Sequence, residues 1–446
     1  MTRRDGTKKR LFGWYFNTNL LTRILVGLLL GAVAGIVFGT SIVWVSPFGD
    51  LLVRLLKMIV MPVVIFTLVV GTASINPRRL GRIGAKALVL YMLTSAFAVA
   101  IGLVCGNVFK PGSGITLEGV SAAAGKALKP PSLIDTFMAV VPTNPFSAIT
   151  EGNILAVIFC SLMFGLALAY LREHKEQRIR SSANAVFSFF DGCAEIMYKV
   201  VHWVLQYAPI GVFALIAVVF GKQGAEAFGP LAKITGSVYA GLVIHLLLVY
   251  CGLLFMSKLS PGQFLLRVRE AFVTAFVTRS SGGTLPVTMD VANEKLGVSK
   301  GVYSFTLPLG ATLNMDGTAI YQGVCAIFVG LAIGMPLTFG QQMTVITTAV
   351  LASIGTAGVP GAGAIMLLMV LDSVGLKVEP GSAVAAAYAM IFGIDALLDM
   401  GRTALNVTGD LAVTTVVAKS EGELDLTRWK RDIKDTAITG QVVKEN

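Results

Sequence analysis

Apolar residues run along this chain in long blocks, separated by short polar and basic stretches. A helix needs roughly 20 apolar residues to cross a hydrocarbon core of about 30 Å. Leu20–Trp44, Leu51–Ala73 and Ala85–Phe109 meet that length, and Asn153–Leu171, Ala183–Phe220 and Ala227–Met256 follow as three more apolar regions. Lys110–Pro145 is polar and rich in Gly, Pro and Ser, and reads as a long external loop. Gly27, Gly31, Gly35 and Gly39 recur every fourth residue in the first block, the spacing of a small-residue helix-packing face. Asp191, Glu195 and Lys199 fall on one face of the fifth, as a paired or water-facing stripe.

The C-terminal half has another rhythm. Leu265–Thr278 and Thr284–Leu296 are each too short to span a bilayer, and they flank Arg279-Ser280-Ser281-Gly282-Gly283. Gln341–Ala352 and Ala364–Val374 form a second such pair around a Gly-rich stretch from Ser353 to Gly363. Long apolar runs, Ser304–Ile333 and Ala383–Val417, follow each pair. Two helical hairpins that enter the membrane and turn back explain the pattern, one from each side. Short buried helices are the plainer alternative. Paired interrupted segments in corresponding positions point to a transporter's binding site. The fold class expected is an all-α polytopic membrane protein with eight transmembrane helices, two re-entrant helical hairpins and inverted repeats.

Composition agrees. Of 446 residues, 55% are hydrophobic and 14% charged, with mean hydropathy +0.76; soluble chains carry about 25% charged residues. The net charge of +11 comes from short clusters between apolar blocks, such as Arg78–Lys86 and Arg172–Arg180. That is the signature of cytoplasmic loops rather than of nucleic-acid binding. It places the N-terminus and both turns on the cytoplasmic side, consistent with a multi-pass protein of the inner (plasma) membrane whose C-terminus is also cytoplasmic. The first apolar block is too long for a cleavable signal. The five cysteines are scattered through apolar runs and read as packing residues. His174, His202 and His245 share no metal-ligand spacing. His245 lies in an apolar helix, as a proton relay or as a hydrogen-bonded structural residue.

The last helix carries Asp395, Asp399, Arg402, Thr403, Asn406 and Asp410. At about 100° per residue these six share an arc of about 100°. Intramembrane ionisable groups are costly and usually functional. Three carboxylates against one guanidinium leave two negative charges that lipid cannot neutralise, so the face should bind cations or hold protons. The surplus of acids argues against a self-satisfied salt-bridge network. Upstream, Asn314-Met315-Asp316-Gly317-Thr318 interrupts an apolar helix. Gly317 permits unwinding, and freed carbonyls beside Asp316 would suit a small hard cation. A simple helix cap is the alternative role for Asp316.

The strings Asn314–Thr318, Ser353–Gly363 and Asp399–Asp410 resemble the dicarboxylate/amino acid:cation symporter family, over nearly the whole chain and most densely from Arg279 to Lys419. The resemblance implies that Asp399 binds a substrate ammonium and Arg402 its side-chain carboxylate. Asn406 and Ser281 would hold the α-carboxylate, with Thr318, Thr403, Val359 and Gly363 lining the pocket and Arg279 at the first hairpin tip. It implies one sodium site at Gly310, Asn314, Asn406 and Asp410. A second would use Thr312, Ser353, Ile354 and Thr356, and a third Tyr91, Thr94, Ser95, Asn314 and Asp316.

Branch marks narrow the expectation. Gly282 stands where close relatives often have a serine. Arg279 sits in the hairpin and Met400 on the last helix, the reverse of the animal branch, so the prokaryotic sodium-coupled type is implied, without potassium antiport. The C4-dicarboxylate branch lacks the acids at Asp399 and Asp410, and neutral amino acid carriers lack the arginine at 402. The implied substrate is therefore L-aspartate or L-glutamate, carried with sodium and no cofactor.

The family also implies a homotrimer with a static scaffold. That divides the chain into a tail and scaffold helices (1–84), a moving third helix (85–110), a loop and further scaffold (111–222), a transport core (223–420) and a cytoplasmic tail (421–446). A proton-coupled carrier and an anion channel are the alternatives. An intramembrane hydrolase lacks any placed base for Ser280 or Ser281.

Overall fold

The computed structural model describes residues 18, 20–74, 80–114, 141–151, 154–353, 358 and 360–430. Most of the predicted external loop therefore lies outside the described residues. Among those described, six helical runs are long and apolar enough to cross a membrane. Among the described residues extended pairing is confined to an isolated bridge between Val298 and Leu424. Large side chains such as Leu29, Val37, Trp203 and Phe255 point outward, whereas Asp316, Arg402 and Asp410 are inside. That inversion is the one expected when the solvent is lipid.

The first block ends earlier than the hydropathy pattern suggests. Helix α1 spans Leu20–Phe38. Gly39 adopts a left-handed φ of +53°, and a 3-10 turn, Gly39–Val45, leads directly into α2, Ser46–Ala73. Pro47 sits in the first turn of α2, where its missing N–H costs nothing. Helix α3, Ala85–Phe109, and α4, Ile154–Arg172, match their apolar blocks closely. Helix α5 runs from Gln177 to Gln223, 47 residues. At 1.5 Å per residue it is about 70 Å long, over twice the hydrocarbon thickness. Its polar first turns have no apolar pattern to reveal them. Asp191, Glu195 and Lys199 are all exposed on it, as a water-facing stripe requires.

Helix α6, Phe228–His245, continues through a wide turn at Leu246–Tyr250 into Cys251–Met256. The first hairpin is α7, Pro261–Thr278, and α8, Ser281–Asp290, extended by a wide turn to Leu296. Helices α9, Lys300–Leu313, and α10, Asp316–Ala332, are one apolar block broken at two residues. The second hairpin is α11, Phe339–Ser353, and α12, Ala362–Ser373. Helix α13, Ala383–Glu421, follows, and Leu426–Lys430 closes the described chain.

Two groups of helices result. Helices α1, α2, α4 and α5 pack on one another, while α3 and α6 through α13 surround α10 and α13. The α1–α5 seam rests on glycine. A Cβ on Gly27 would lie 2.5 Å from the Pro209 carbonyl oxygen, and one on Gly31 2.6 Å from that of Phe213. Gly39 marks the stop, its own Cβ position open, yet its carbonyl oxygen still packs on the seam, 2.5 Å from where a Cβ on Gly221 would lie.

The basic clusters gather at one end. Arg172 donates to the Ala73 carbonyl at the end of α2 (2.7 Å), and Arg82 and Lys86 pair with Glu421 at the end of α13. At that same end residues 423–429 strap the base of the first hairpin. The Arg267 guanidinium donates to the carbonyls of Lys295 (2.6 Å), Arg428 (3.1 Å) and Trp429 (2.8 Å). The Ser299 amide donates to Glu423 O and the Asp425 amide to Gly297 O. The Arg428 amide, chiefly, holds the Asp425 carboxyl below its ordinary range.

Replacing Gly31 with leucine should split the α1–α5 seam at a cost of about 1–3 kcal/mol, seen as a lowered unfolding temperature of the purified protein in detergent. The same change at Gly192, whose Cβ position is open, should leave that temperature unchanged.

Candidate functional site

Three interruptions in helical backbone meet at one place. The first hairpin turns at Arg279 and Ser280, with Arg279 in a left-handed conformation (φ +54°). Ser280 then caps α8 by accepting from the Gly283 amide at 3.0 Å. The tip is shorter than its sequence suggests, because Ser281–Gly283 already belong to the helix. The second hairpin's Gly358 accepts from the Ser280 hydroxyl (2.6 Å) and the Gly282 amide (3.3 Å), so the two tips touch. A Cβ on Gly358 would also lie 3.2 Å from the Ala311 carbonyl in the last turn of α9. Helix starts at Ser281, Asp316 and Ala362 therefore converge with helix ends at Thr278, Leu313 and Ser353. Each start carries about half a positive charge and each end about half a negative one. Anionic and cationic partners both find complementary backbone there.

The face of α13 lies against these ends. Arg402 is fully buried. Its Nη1 is 2.9 Å from Asp395 Oδ1, its Nη2 donates to Asp399 Oδ1 at 3.0 Å, and its Cζ lies 4.0 Å from the Tyr321 ring centre. Asp399 and Arg402 pair directly, as their i, i+3 spacing permits. The pairing leaves the guanidinium underused, since its Nε has no acceptor. Asp399 reaches the second hairpin through the Gly361 amide at 3.3 Å. Thr403 Oγ1 is 3.5 Å from Asp399. A Cβ on Gly363 would meet Arg402 Nη1 at 3.3 Å and the Thr318 methyl at 3.1 Å, so the glycine brings hairpin backbone onto the guanidinium. Ser281 is buried beside Gly358. Arg279 stands half-buried at the tip.

Oxygen-rich surroundings lie one turn further along α13. Asn314 donates from Nδ2 to Asp410 Oδ1 and to the Asn406 carbonyl, each at 3.0 Å. Its own Oδ1 is buried without a partner, which leaves an acceptor free for a cation. Gly310 admits Asp410, because a Cβ there would lie 2.5 Å from the carboxylate. Asn406 Oδ1 accepts from the Gly317 amide at 2.7 Å, and Nδ2 meets only the Met315 sulfur at 3.2 Å, a weak acceptor. The unwound residues are Asn314 and Met315 alone. Gly317 is helical, contrary to the expected unwinding there. It lets α10 touch α13, where a Cβ would lie 2.6 Å from Arg402 Cα.

Asp316 is also fully buried. Ser95 Oγ donates to its Oδ1 at 2.6 Å. Tyr91 and Thr94 flank Ser95 on α3, with their hydroxyls on the carbonyls of Thr306 and Tyr91. Thr312 and Ser353 stand at the ends of α9 and α11, each hydroxyl returned to its own helix. Ile354, Thr356 and Val359 lie outside the described residues. Asp316, Asp395, Asp399 and Asp410 against Arg402 leave a formal charge of −3 in the buried site. Two residues absent from the expected set join it. Tyr250 donates to Asp316 Oδ2 at 2.8 Å, and His245 Nε2 is 3.1 Å from the same oxygen. The wide turn at Leu246–Tyr250 stacks their rings edge-on, 4.7 Å apart. A regular helical period points residues five apart in different directions.

A cavity of about 350 Å³ adjoins the tips. Thr67, Tyr198, Ser304, Thr312 and Gly358 line it, between α2, α5 and α9.

The family model described as the sodium:dicarboxylate symporter family matches residues 20–420. A proton/sodium-glutamate symport protein of Geobacillus stearothermophilus is 34% identical, over 93% of this chain and 97% of its own length. A proton/glutamate-aspartate symporter of Escherichia coli is 35% identical over 85% and 86%. A C4-dicarboxylate transport protein of Ralstonia nicotianae is 33% identical over 92% and 94%.

Gly317→Ala should force α10 off α13 and abolish uptake while costing about 1–3 kcal/mol of stability. Gly301→Ala, in the open first turn of α9, should leave uptake intact, as measured in proteoliposomes.

Proposed function

This chain belongs to the sodium:dicarboxylate symporter family, and on that footing we propose that it takes up an acidic amino acid, L-aspartate or L-glutamate, together with sodium. The observation that carries the substrate class is the fully buried Arg402, whose Nε has no acceptor beside the second hairpin. A carboxylate of the substrate would take the Nε and Nη2 edge as a bidentate fork once Arg402 is freed from Asp399. Its ammonium would displace Arg402 from Asp399, and its α-carboxylate would take the Asn406 amide from the Met315 sulfur. A C4-dicarboxylate has no ammonium to offer Asp399, and a buried carboxylate stripped of its cation is costly. That argues for an amino acid.

The formal charge of −3 supports cation coupling. Sodium fits the free Asn314 oxygen beside Asp410, with Gly310 and Asn406, and the oxygens around Asp316, Ser95, Thr94 and Tyr91. Thr312 and Ser353, with Ile354 and Thr356, would form a further site. Relatives named for both proton and sodium keep proton coupling as the second reading.

In our reading sodium orders the break between α9 and α10 and the second hairpin, which then closes over the substrate as a gate. Substrate leaves toward the basic, cytoplasmic end through the cavity at Thr312 and Gly358. The chain crosses the inner membrane eight times, with both termini cytoplasmic. Helices α1, α2, α4 and α5 form the static part of a homotrimer, and the remaining helices move.

Radiolabelled L-aspartate uptake into proteoliposomes should require an inward sodium gradient and vanish when choline replaces sodium. Arg402→Ala should lower it at least about 30-fold, as when one partner of a buried charge pair is truncated. Equal uptake in choline would overturn the sodium assignment. An unaffected Arg402→Ala would overturn the substrate pose.

A further inference from the structure

His245 and Tyr250 are buried polar residues to which the uptake scheme gives no part. Both are completely inside the protein. Both come from α6 and meet the same atom of Asp316, at 3.1 and 2.8 Å. A carboxylate oxygen only accepts, so His245 Nε2 carries the hydrogen. The ring's other nitrogen, Nδ1, has no partner. A histidine kept for structure alone would use both nitrogens, as buried polar groups generally do. This one spends its single bond on Asp316.

The consequence for Asp316 is geometric. Its Oδ2 is taken up by two donors from α6. Its Oδ1 has one donor, Ser95, and so faces the hydroxyls and carbonyls of α3 with a lone pair to spare. Two bonds on one oxygen fix the rotation of the carboxylate about its last torsion, which is otherwise broad and soft. The wide turn at Leu246–Tyr250 is what allows both residues to reach it. Wide turns of this kind occur often at functional sites.

We propose that His245 and Tyr250 are positioning residues for cation binding, locking the Asp316 carboxylate so that Oδ1 completes a sodium cage with Ser95, Thr94 and Tyr91. The proposal rests on the sodium reading given above. It differs from a histidine that carries the coupled charge itself, because here the imidazole orients a ligand and takes no further part. The sign is fixed against a competing effect. A carboxylate stripped of donors attracts a bare cation more strongly, whereas a carboxylate free to rotate no longer holds the cage. Positioning predicts weaker sodium binding when either donor is removed.

The test is L-aspartate uptake by proteoliposomes, measured against sodium at saturating aspartate and against aspartate at saturating sodium. His245→Leu should raise the half-saturating sodium concentration about tenfold, the loss of one hydrogen bond to a charged group. The aspartate KM at saturating sodium should stay within about twofold, since the substrate pocket is built from other residues. His245→Gln, which returns an N–H, should recover most of the sodium affinity. Tyr250→Phe keeps the ring, loses only the hydroxyl and should shift sodium in the same direction, so it decides the matter if the leucine variant does not fold. An unchanged or lowered sodium requirement in both His245→Leu and Tyr250→Phe overturns the proposal. So does an aspartate KM that rises as much as the sodium requirement. Wild-type uptake indifferent to sodium would instead sink the sodium reading itself. A wild-type response that survives in Asp316→Asn would remove Asp316 from the cage and the proposal with it.

Discussion

Everything in this protein is arranged around charge held away from water. Arg402 sits with no solvent access between two carboxylates and a tyrosine ring, and two further carboxylates lie nearby. A single ionised group in a dry interior costs many kcal/mol if left alone. The fold answers with six helix ends aimed inward, and those ends exist because three helical segments stop halfway. Unwound backbone is tolerable at this depth only where protein or a polar cavity satisfies it. The tips of the two hairpins therefore satisfy each other, Ser280 and Gly282 donating to Gly358. Interrupted helices, buried charge and touching tips are one solution to one problem.

The balance inside the site favours loading over emptiness. Arg402 is the fully buried cation of the site, and it is shared between Asp395 and Asp399. Asn314 donates to the Asp410 carboxylate, and the hydroxyls of Ser95 and Tyr250 donate to Asp316 beside His245 Nε2. Neutral donors orient a carboxylate but cannot cancel its charge. Monovalent cations can do both, and a zwitterionic substrate with an extra carboxylate can relieve the crowding at Arg402 by giving each partner a new one.

Much of this could be read from residue order. The hairpins, the break before Asp316 and the charged face of α13 follow from length, glycine placement and a 3.6-residue period. The spacing of Asp395, Asp399 and Arg402 even allows the pairing observed. What escaped has specific causes. Trp44 lies in an apolar block, yet the helix stops at Phe38, because hydropathy does not report the left-handed turn at Gly39. Gly317 looks like a point of unwinding but serves close approach, which depends on a partner helix distant in sequence. Tyr250 was invisible as a site residue because a wide turn, not a regular helical period, brings it over His245. The polar start of α5 has propensity without pattern.

The strap at the base of the first hairpin has a consequence in time. Arg267 and Lys295 belong to the hairpin, while the carbonyls and ring that hold Arg267 come from Arg428 and Trp429, more than a hundred residues later. A chain emerging from the ribosome has made both hairpin arms, the broken helix and the second hairpin before that fastening exists. The base of the first hairpin must therefore stay untied until Arg428 and Trp429 have been made.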